Sequence, residues 1–567
     1  MERAGETETQ PRGTNGRFVV VAVARALVAV VEVQRTAAQI ATRNLLGNLA
    51  AAPVSAGEAA LVSTLAGDSA AVANIVAVIC PTAETIVLED LDGRQRAESV
   101  LALSQICGRA VDPALLKRFF RQDLLDLQIA AVRTGSFTMP CPLTAQPAAC
   151  GASWCLELAA LAFRFDTPDP RDSFITICTG FQLTVFGVYF PHWNLFLYLN
   201  DRHKNETARV LLTPPERGLW QHIIRYADCL YDRPLAFKPI LLCSYDHIGH
   251  HLWNELVGIY ETLMQIGANA MCPVIVARPD ATEMYGRLEG IFPELTGKVT
   301  RVDDGSQLVR LIYTEGMLPL RPAGIRVPRA LAARIGDLAE RNYFQGLPER
   351  MLESLRRRHF RFVVLGLRVE NRTVVDFPQF CEDLVTYLRQ ELGRVAIIVD
   401  GQNCSETGFG YRVTFQEVAE ASPLHVEEEI VERLAARFAA DPDVAIVSTI
   451  GLPVGASIAL CDKADFFVTP WGAGLAKYRW IGNLPGLALA GPSCVRFQPV
   501  HLYDDPHFIE APRPMYFMDV EDIEDAPDDP TLIPTSAPDR VNIRVGMDAL
   551  KAKIREMIRD LGSVGVA

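Results

Sequence analysis

The chain has 567 residues, 49% of them hydrophobic, 22% charged and 8% aromatic, which excludes disorder throughout and provides enough apolar surface for sizeable cores. At roughly 100–200 residues per domain the length corresponds to about three domains, with two or four as alternatives. With 55 basic against 68 acidic residues the net charge is -13, which argues against a general nucleic-acid binder but allows a small anion held by a few local Arg and Lys.

Residues 1–17 are polar and predicted to be disordered. The run 18–31, FVVVAVARALVAVV, is shorter than the roughly 20 apolar residues of a membrane span, and Arg25 interrupts it. No cleavage site follows a basic segment in the manner of a signal peptide. The run is expected to be a packed helix or strand, with peripheral membrane contact as the alternative, and the protein is expected to be soluble and cytoplasmic. The 13 cysteines are odd in number and scattered, as buried free thiols in a reducing compartment would be. Cys141, Cys150 and Cys155 lie closest together but lack a CxxC pair and a nearby His, so no metal is expected.

From 18 to about 135 the spacing is largely helical. TIVLEDLDGRQRAESVLAL reads as strand, Asp-Gly turn and helix, and Asp112-Pro113 reads as a helix start with Asp as cap. A turn-rich Pro/Cys/Gly stretch follows. Residues 1–165 are therefore predicted to be a mostly helical N-terminal region of unknown role.

Residues 166–345 carry short apolar runs: SFITICTGFQLTVFGVYF, WNLFLYLN, ARVLLTPP, KPILLCSYD and CPVIVARPD. The helical pattern GHHLWNELVGIYETLMQIGA separates the last two. Alternating strands and helices predict βαβ units and a parallel sheet. A basic helical linker over 322–358 leads into a second block of the same grammar, 346–525. There RFVVLGLR, RVAIIVDG, VAIVSTIG and DFFVTPWGAG read as strands, and FPQFCEDLVTYLRQELG, EEEIVERLAARFAA and ASIALCDKA as helices. Residues 526–567 read as a tail with a terminal helix over 546–562. The predicted fold class is α/β, with two Rossmann-like domains facing a cleft and ligands beyond the carboxyl ends of the strands.

Three segments follow strands and concentrate polar groups. SYDHIGHHLWNEL places Asp246, His247, His250 and His251 within six residues, and His251 and Glu255 share a helix face at i,i+4. A His beside a carboxylate suits a general base, since the acid orients the ring and raises its basicity. LGLRVENR offers Arg368 and Arg372, with Asn371 between, as an anion fork. TPWGAGLAKYR offers Gly472, Ala473 and Gly474 as a loop where backbone can approach a phosphate, with Lys477 and Arg479 following. The competing reading of each is local: a capped helix start, a solvated loop and a tight strand-to-helix turn.

These three segments together resemble family-61-type glycosyltransferases, the group that includes capsular-polysaccharide biosynthesis proteins. The resemblance covers roughly 240–490 and rests on GHHLWNEL, GLRVENR and ADFFVTPWGAGL, the last with Asp465 as its second residue. Trp471 stands where that family commonly has His, and Trp253-Asn254 follows the histidines where the family has Asn and aromatics before them. The resemblance implies a GT-B architecture and transfer of a sugar from a nucleotide-sugar donor to a glycan or other hydroxyl acceptor. It implies no metal and no cofactor. His251 or His250 would be the base, oriented by Glu255 or Asp246. Arg368, Arg372, Asn371, Lys477 and the Gly472–Gly474 loop would hold the diphosphate. The alternatives are a non-catalytic scaffold with a degenerate transferase fold, or another two-domain sugar-nucleotide enzyme. A nicotinamide enzyme is disfavoured, because no GxGxxG follows a strand with an acid downstream.

Overall fold

A computed structural model of the chain describes residues 84–89, 95–122, 124–157, 160–179, 184–190, 192–193, 195–200, 238–303, 317–321, 324–404, 423–527 and 540–563. The apolar run 18–31, the stretch ARVLLTPP and most of the expected N-terminal region lie outside the described residues. The described residues divide into two compact units. One comprises those up to Ile335 with Asp505–Ala511; the other comprises Gly336–Asp504 and those from Pro512 onward.

The first unit begins with β1 (Glu84–Glu89) and the helices Gln95–Cys107, Pro113–Arg121 and Leu124–Thr134. The Asp112 carboxylate accepts from Ala114 N at 2.8 Å and Pro113 opens the helix, as the Asp-Pro pair predicts. Then follow β2 (Thr138–Pro140), β3 (Pro147–Glu157), β4 (Ala160–Asp166), β5 (Phe174–Thr179), β6 (Thr184–Phe190) and β7 (Leu195–Asn200). These strands form one sheet in the order β1-β7-β6-β5-β4-β3-β2, antiparallel except for the β1–β7 pair. This corrects two expectations. The N-terminal segment is not mostly helical in its described part, and SFITICTGFQLTVFGVYF with WNLFLYLN belongs to an antiparallel sheet that continues through residue 165. The connections explain it: four residues separate β5 from β6 and β6 from β7, whereas a parallel pair needs a crossover of about a dozen or more.

The same unit holds a second, fully parallel sheet of β8 (Lys238–Cys243), β9 (Val274–Ala277), β10 (Val299–Val302) and β11 (Met317–Leu320), in the order β10-β9-β8-β11. Its strand order reverses between β8 and β11. Val327 N donates to Phe508 O at 2.9 Å and Glu510 N to Val327 O at 3.2 Å, which joins 505–511 to this unit.

The second unit is built on β12 (Arg361–Gly366), β13 (Val395–Asp400), β14 (Val444–Ser448), β15 (Phe466–Pro470), β16 (Gly486–Leu489) and β17 (Met515–Phe517). All are parallel, in the order β14-β13-β12-β15-β16-β17. By position in the unit this is 3-2-1-4-5-6, the doubly wound order. Both faces of its central strands are buried, which is why VAIIVD and FFVTP carry no polar alternation. One face packs against Phe380, Leu384 and Leu388 of the helix Phe377–Leu392, Leu434 of Pro423–Arg437, and Leu550, Ile554 and Met557 of Met547–Ser563. The terminal helix is thus part of this core, and β18 (Ile523–Asp525) pairs antiparallel with β19 (Ile543–Val545) across the expected 525/526 boundary. The segment 322–358 is helical as predicted, with Arg329–Ala339, a π-helical stretch Glu340–Phe344, and Leu347–Arg357.

Candidate functional site

In the second unit the strand order reverses between β12 and β15, and a doubly wound sheet opens a crevice at such a point, beyond the carboxyl ends. Arg368 follows β12 by two residues and Gly472 follows β15 by two, so both sit at this switch point. They meet there: a Cβ on Gly472 would collide with the Arg368 guanidinium. Arg368 donates from Nε to Asn371 O at 2.8 Å and from Nη2 to Asn371 Oδ1 at 2.6 Å. The same Oδ1 accepts from Arg372 Nε at 3.3 Å. One amide oxygen therefore holds two guanidiniums together. The Arg372 guanidinium carbon lies 5.1 Å from the centre of the Trp471 ring, and its Nη1 is buried with no hydrogen-bond partner among the described residues. The structure thus brings Arg368, Asn371, Arg372 and Gly472 together as the sequence predicts, with Ala473 and Gly474 following in the same loop.

Lys477, expected to hold the diphosphate, and Arg479, which follows it, are both buried. The helix after the loop is a short π-helical stretch, Ala476–Ile481, and every residue in it is buried. Arg479 Nε donates to Tyr503 O at 3.1 Å and its Nη2 to Arg513 O at 2.6 Å, so its charge fastens backbone. Lys477 pairs with the Asp400 carboxylate and donates to Asn403 Oδ1, with its side chain 2% exposed. A cation this deep in a low-dielectric core requires an anionic partner of its own.

Asp400 at the end of β13 is the centre of a network that the sequence does not announce. Its carboxylate also accepts from Thr449 Oγ1 at 2.5 Å, Ser457 Oγ at 2.6 Å and the Tyr478 hydroxyl. Burial works to raise its pKa, but the Lys477 charge and these donors outweigh burial, and the group titrates below the usual carboxylate value. Glu427 lies beside it, accepting from Gln402 N at 2.6 Å. Burial pushes Glu427 up to about 8, and Asp400 adds to the rise, so this acid is largely protonated at neutral pH. Burial also raises the pKa of Glu370, whose Oε1 accepts from Gln402 Nε2 at 3.4 Å. In the sequence Asp400-Gly401 reads only as a strand end, and nothing marks Thr449, Ser457 and Tyr478 as its partners because they are distant along the chain.

In the first unit, β8 leads into Ser244-Tyr245-Asp246 and a helix capped by His247, whose Nδ1 accepts from His250 N at 3.3 Å. The stretch His251–Leu256 is π-helical, a distortion often found at functional sites. His251 Nδ1 lies 2.8 Å from Glu255 Oε2, which is the predicted histidine–carboxylate pair. Glu255 Oε1 accepts from Ser244 N at 2.6 Å, Tyr245 N at 3.1 Å and Arg321 Nη2 at 3.2 Å. Burial would raise the Glu255 pKa, but His251, Arg321 and the Ser244 amide overcome it, so the carboxylate is ionised. An ionised acceptor fixes the His251 proton on Nδ1 and the lone pair on Nε2. Both residues are buried, His251 at 2% exposure, and the imidazole stacks on Tyr285 at 6.0 Å.

His250 is the more exposed of the two rings, and its Nδ1 lies 2.9 Å from Asn254 Oδ1. Burial lowers its pKa to about 4, against partial opposition from Asn254 and Glu255, so it is neutral at physiological pH. Asp246 does not orient either ring. It lies 3.4 Å from Arg278 Nη1, because Arg278 at the end of β9 brings a guanidinium to the same sheet edge. Arg321 and Arg278 escape sequence reading, since each is a single Arg closing an apolar run, MLPLR and VIVAR.

Among the described residues no group of three or more His, Cys, Asp or Glu is placed to hold a metal ion, and no helix is long and apolar enough to cross a membrane. Nine described cysteines are free thiols, eight of them buried, as expected.

Fold and site define an α/β protein with two parallel sheets whose strand order reverses beside clustered polar groups. No protein-family model matches the chain, and no curated protein matches it. Among solved structures it is similar to the iron-containing dodecameric glycosyltransferase TibC from enterotoxigenic E. coli H10407, at 12% identity and TM-score 0.28 over 58% of this chain and 77% of that one. It is similar also to the glycosyl transferase family 9 protein from Veillonella parvula DSM 2008, at 10% identity and TM-score 0.25 over 50% and 85% of the two chains. A third is UDP-GlcNAc 2-epimerase from Methanocaldococcus jannaschii, at 14% identity and TM-score 0.22 over 55% and 74%. Superpositions this loose carry no argument about this chain.

Proposed function

We propose that this protein is a glycosyltransferase of GT-B type that moves a sugar from a nucleotide-sugar donor to a glycan or other hydroxyl acceptor without a metal ion. The observation that carries the reading is the pair of guanidiniums, Arg368 and Arg372, held on one Asn371 oxygen beside Gly472 at the switch point of a doubly wound sheet. Two like charges at such a place are matched by a dianion, and the planar fork of Arg suits phosphate oxygens. A leaving nucleoside diphosphate is that dianion, and fixed cations there would stabilise the charge it develops. The expectation that Lys477 contacts the diphosphate gives way to a supporting role, since its ammonium is engaged by Asp400 and Asn403.

The base belongs to the first unit in this reading. His250 and His251 both carry the proton on Nδ1, toward Asn254 and Glu255 respectively, which leaves Nε2 as the basic atom of each ring. His250 is the better placed by exposure, and His251 is the ring that an ionised carboxylate orients. The acceptor hydroxyl gives its proton to one of them as the sugar is transferred, and the diphosphate leaves against the two arginines.

The test is release of nucleoside diphosphate from a panel of nucleotide sugars, with and without glycan acceptors, in the presence of EDTA. Turnover that survives the chelator is expected. His250→Ala or His251→Ala should lower the rate by about 10²–10⁴ while leaving donor affinity in place. If both variants keep near-full turnover, or lose it only in proportion to lost folding, neither histidine is the base.

A further inference from the structure

We infer that Tyr503 is an additional ligand-binding residue of the Arg368/Arg372 site, its phenolic O–H donating to the phosphate that the two guanidiniums hold. This inference rests on the diphosphate reading above and assigns a third donor to that site, from a part of the sequence with no motif.

Tyr503 closes the short 3-10 turn Val500–Tyr503. Three side chains from the segment after β15 fasten that turn by its carbonyls. Trp471 Nε1 donates to Val500 O at 3.1 Å, Trp480 Nε1 to Leu502 O at 3.2 Å, and Arg479 Nε to Tyr503 O at 3.1 Å. Three donors on one four-residue turn hold its backbone against the segment after β15. The Tyr503 ring lies 4.7 Å from the Trp480 ring and 5.9 Å from the Trp471 ring. Trp471 is also the ring on which Arg372 rests, so one indole touches both the phenol and the guanidinium.

One further observation points to a ligand. Arg372 Nη1 is buried without a hydrogen-bond partner among the described residues, and an oxyanion would satisfy it. Tyr503, 3% exposed, stands against the same indole as that guanidinium, and its hydroxyl offers a second donor to the same oxyanion. Burial keeps the phenol protonated, while Arg372 and Arg368 are each near enough to favour its ionised form, so the group is an O–H polarised by the two charges it would act with.

The experiment is calorimetric titration of the full-length protein with inorganic pyrophosphate and with ADP and UDP, for wild type, Tyr503→Phe and Arg368→Ala, with melting temperatures measured alongside. Phe keeps the ring against Trp471 and Trp480 and removes only the hydroxyl. The expected result is about tenfold weaker binding in Tyr503→Phe, the loss typical of one hydrogen bond to a charged group, at an unchanged melting temperature. Wild-type affinity in Tyr503→Phe with weakened binding in Arg368→Ala would overturn this inference and leave the diphosphate site standing. A loss of affinity that tracks a lower melting temperature would also overturn it, in favour of a packing role. If the wild type binds none of the three probes, the diphosphate reading fails, and this inference with it.

Discussion

Arg372 holds a φ of 52°, in the left-handed region that costs a residue with a Cβ on the order of 1–2 kcal/mol. Such strain persists where the surroundings impose it, and here the Arg372 amide donates to Arg540 O at 3.3 Å while its side chain is drawn between Asn371 and Trp471. Gly accepts that conformation freely. Arg372→Gly is therefore expected to unfold at an equal or higher temperature than wild type while binding pyrophosphate more weakly; a drop in melting temperature would show that the side chain is there for stability. Glu427 gives a second residue-scale expectation, in pH. Its folded pKa of about 8 lies above the ordinary 4.5, so between these values the folded state holds more protons than the unfolded one. Stability from this group is full below about pH 4.5 and is lost as pH rises toward and through about 8. Glu427→Gln should flatten that fall, with the largest gain over wild type at alkaline pH, in denaturant titrations run from pH 5 to 9. Parallel curves for the two proteins would contradict the assignment.

At the scale of elements, the carboxyl ends of β13, β14 and β15 and the helix Val454–Cys461 are joined through Asp400. Thr449 reaches it from the end of β14, Ser457 from that helix, and Lys477 and Tyr478 from the π-helical stretch after β15. Gly366 lets β12 approach β15 at this level, since a Cβ there would collide with Thr469. Breaking a buried ion pair by removing one partner leaves an uncompensated charge and typically costs about 3–5 kcal/mol. Lys477→Met should therefore lower unfolding free energy by about that amount, measured by urea denaturation. A loss below about 1 kcal/mol would mean that Asp400 is satisfied by its hydroxyl donors alone. Gly472→Ala probes the neighbouring loop. The added methyl meets the end of a flexible arginine, so the melting temperature should hold while pyrophosphate affinity falls with the displaced guanidinium. Equal affinity would place Arg368 outside the anion site.

Across the whole molecule, legibility followed the range of the interactions. The strands and helices of 360–490 are plain in the sequence because buried parallel strands are unbroken apolar runs, and the switch-point residues Arg368 and Gly472 lie immediately after two of them. The His251–Glu255 pair is legible because i,i+4 spacing is local. What the sequence hides depends on residues far apart. Lys477 reads as a cation for the diphosphate until the fold puts Asp400, 77 residues earlier, against it. β19 and the terminal helix read as a tail until they pair with β18 and pack into the core of the second unit. The strands β5–β7 read as part of a parallel block for another reason: they are as apolar as those of a parallel sheet, and only the short connections between them distinguish the two. The central claim is that Arg368 and Arg372 hold the diphosphate of a nucleotide donor. The most direct measurement is calorimetry of nucleoside diphosphates against wild type and Arg368→Ala at fixed ionic strength. Binding by the wild type and a loss of about 1.5–3 kcal/mol in the variant, the range for hydrogen bonds to charged groups, is the predicted result. Equal affinity in the two proteins, or no binding by either, would contradict the claim.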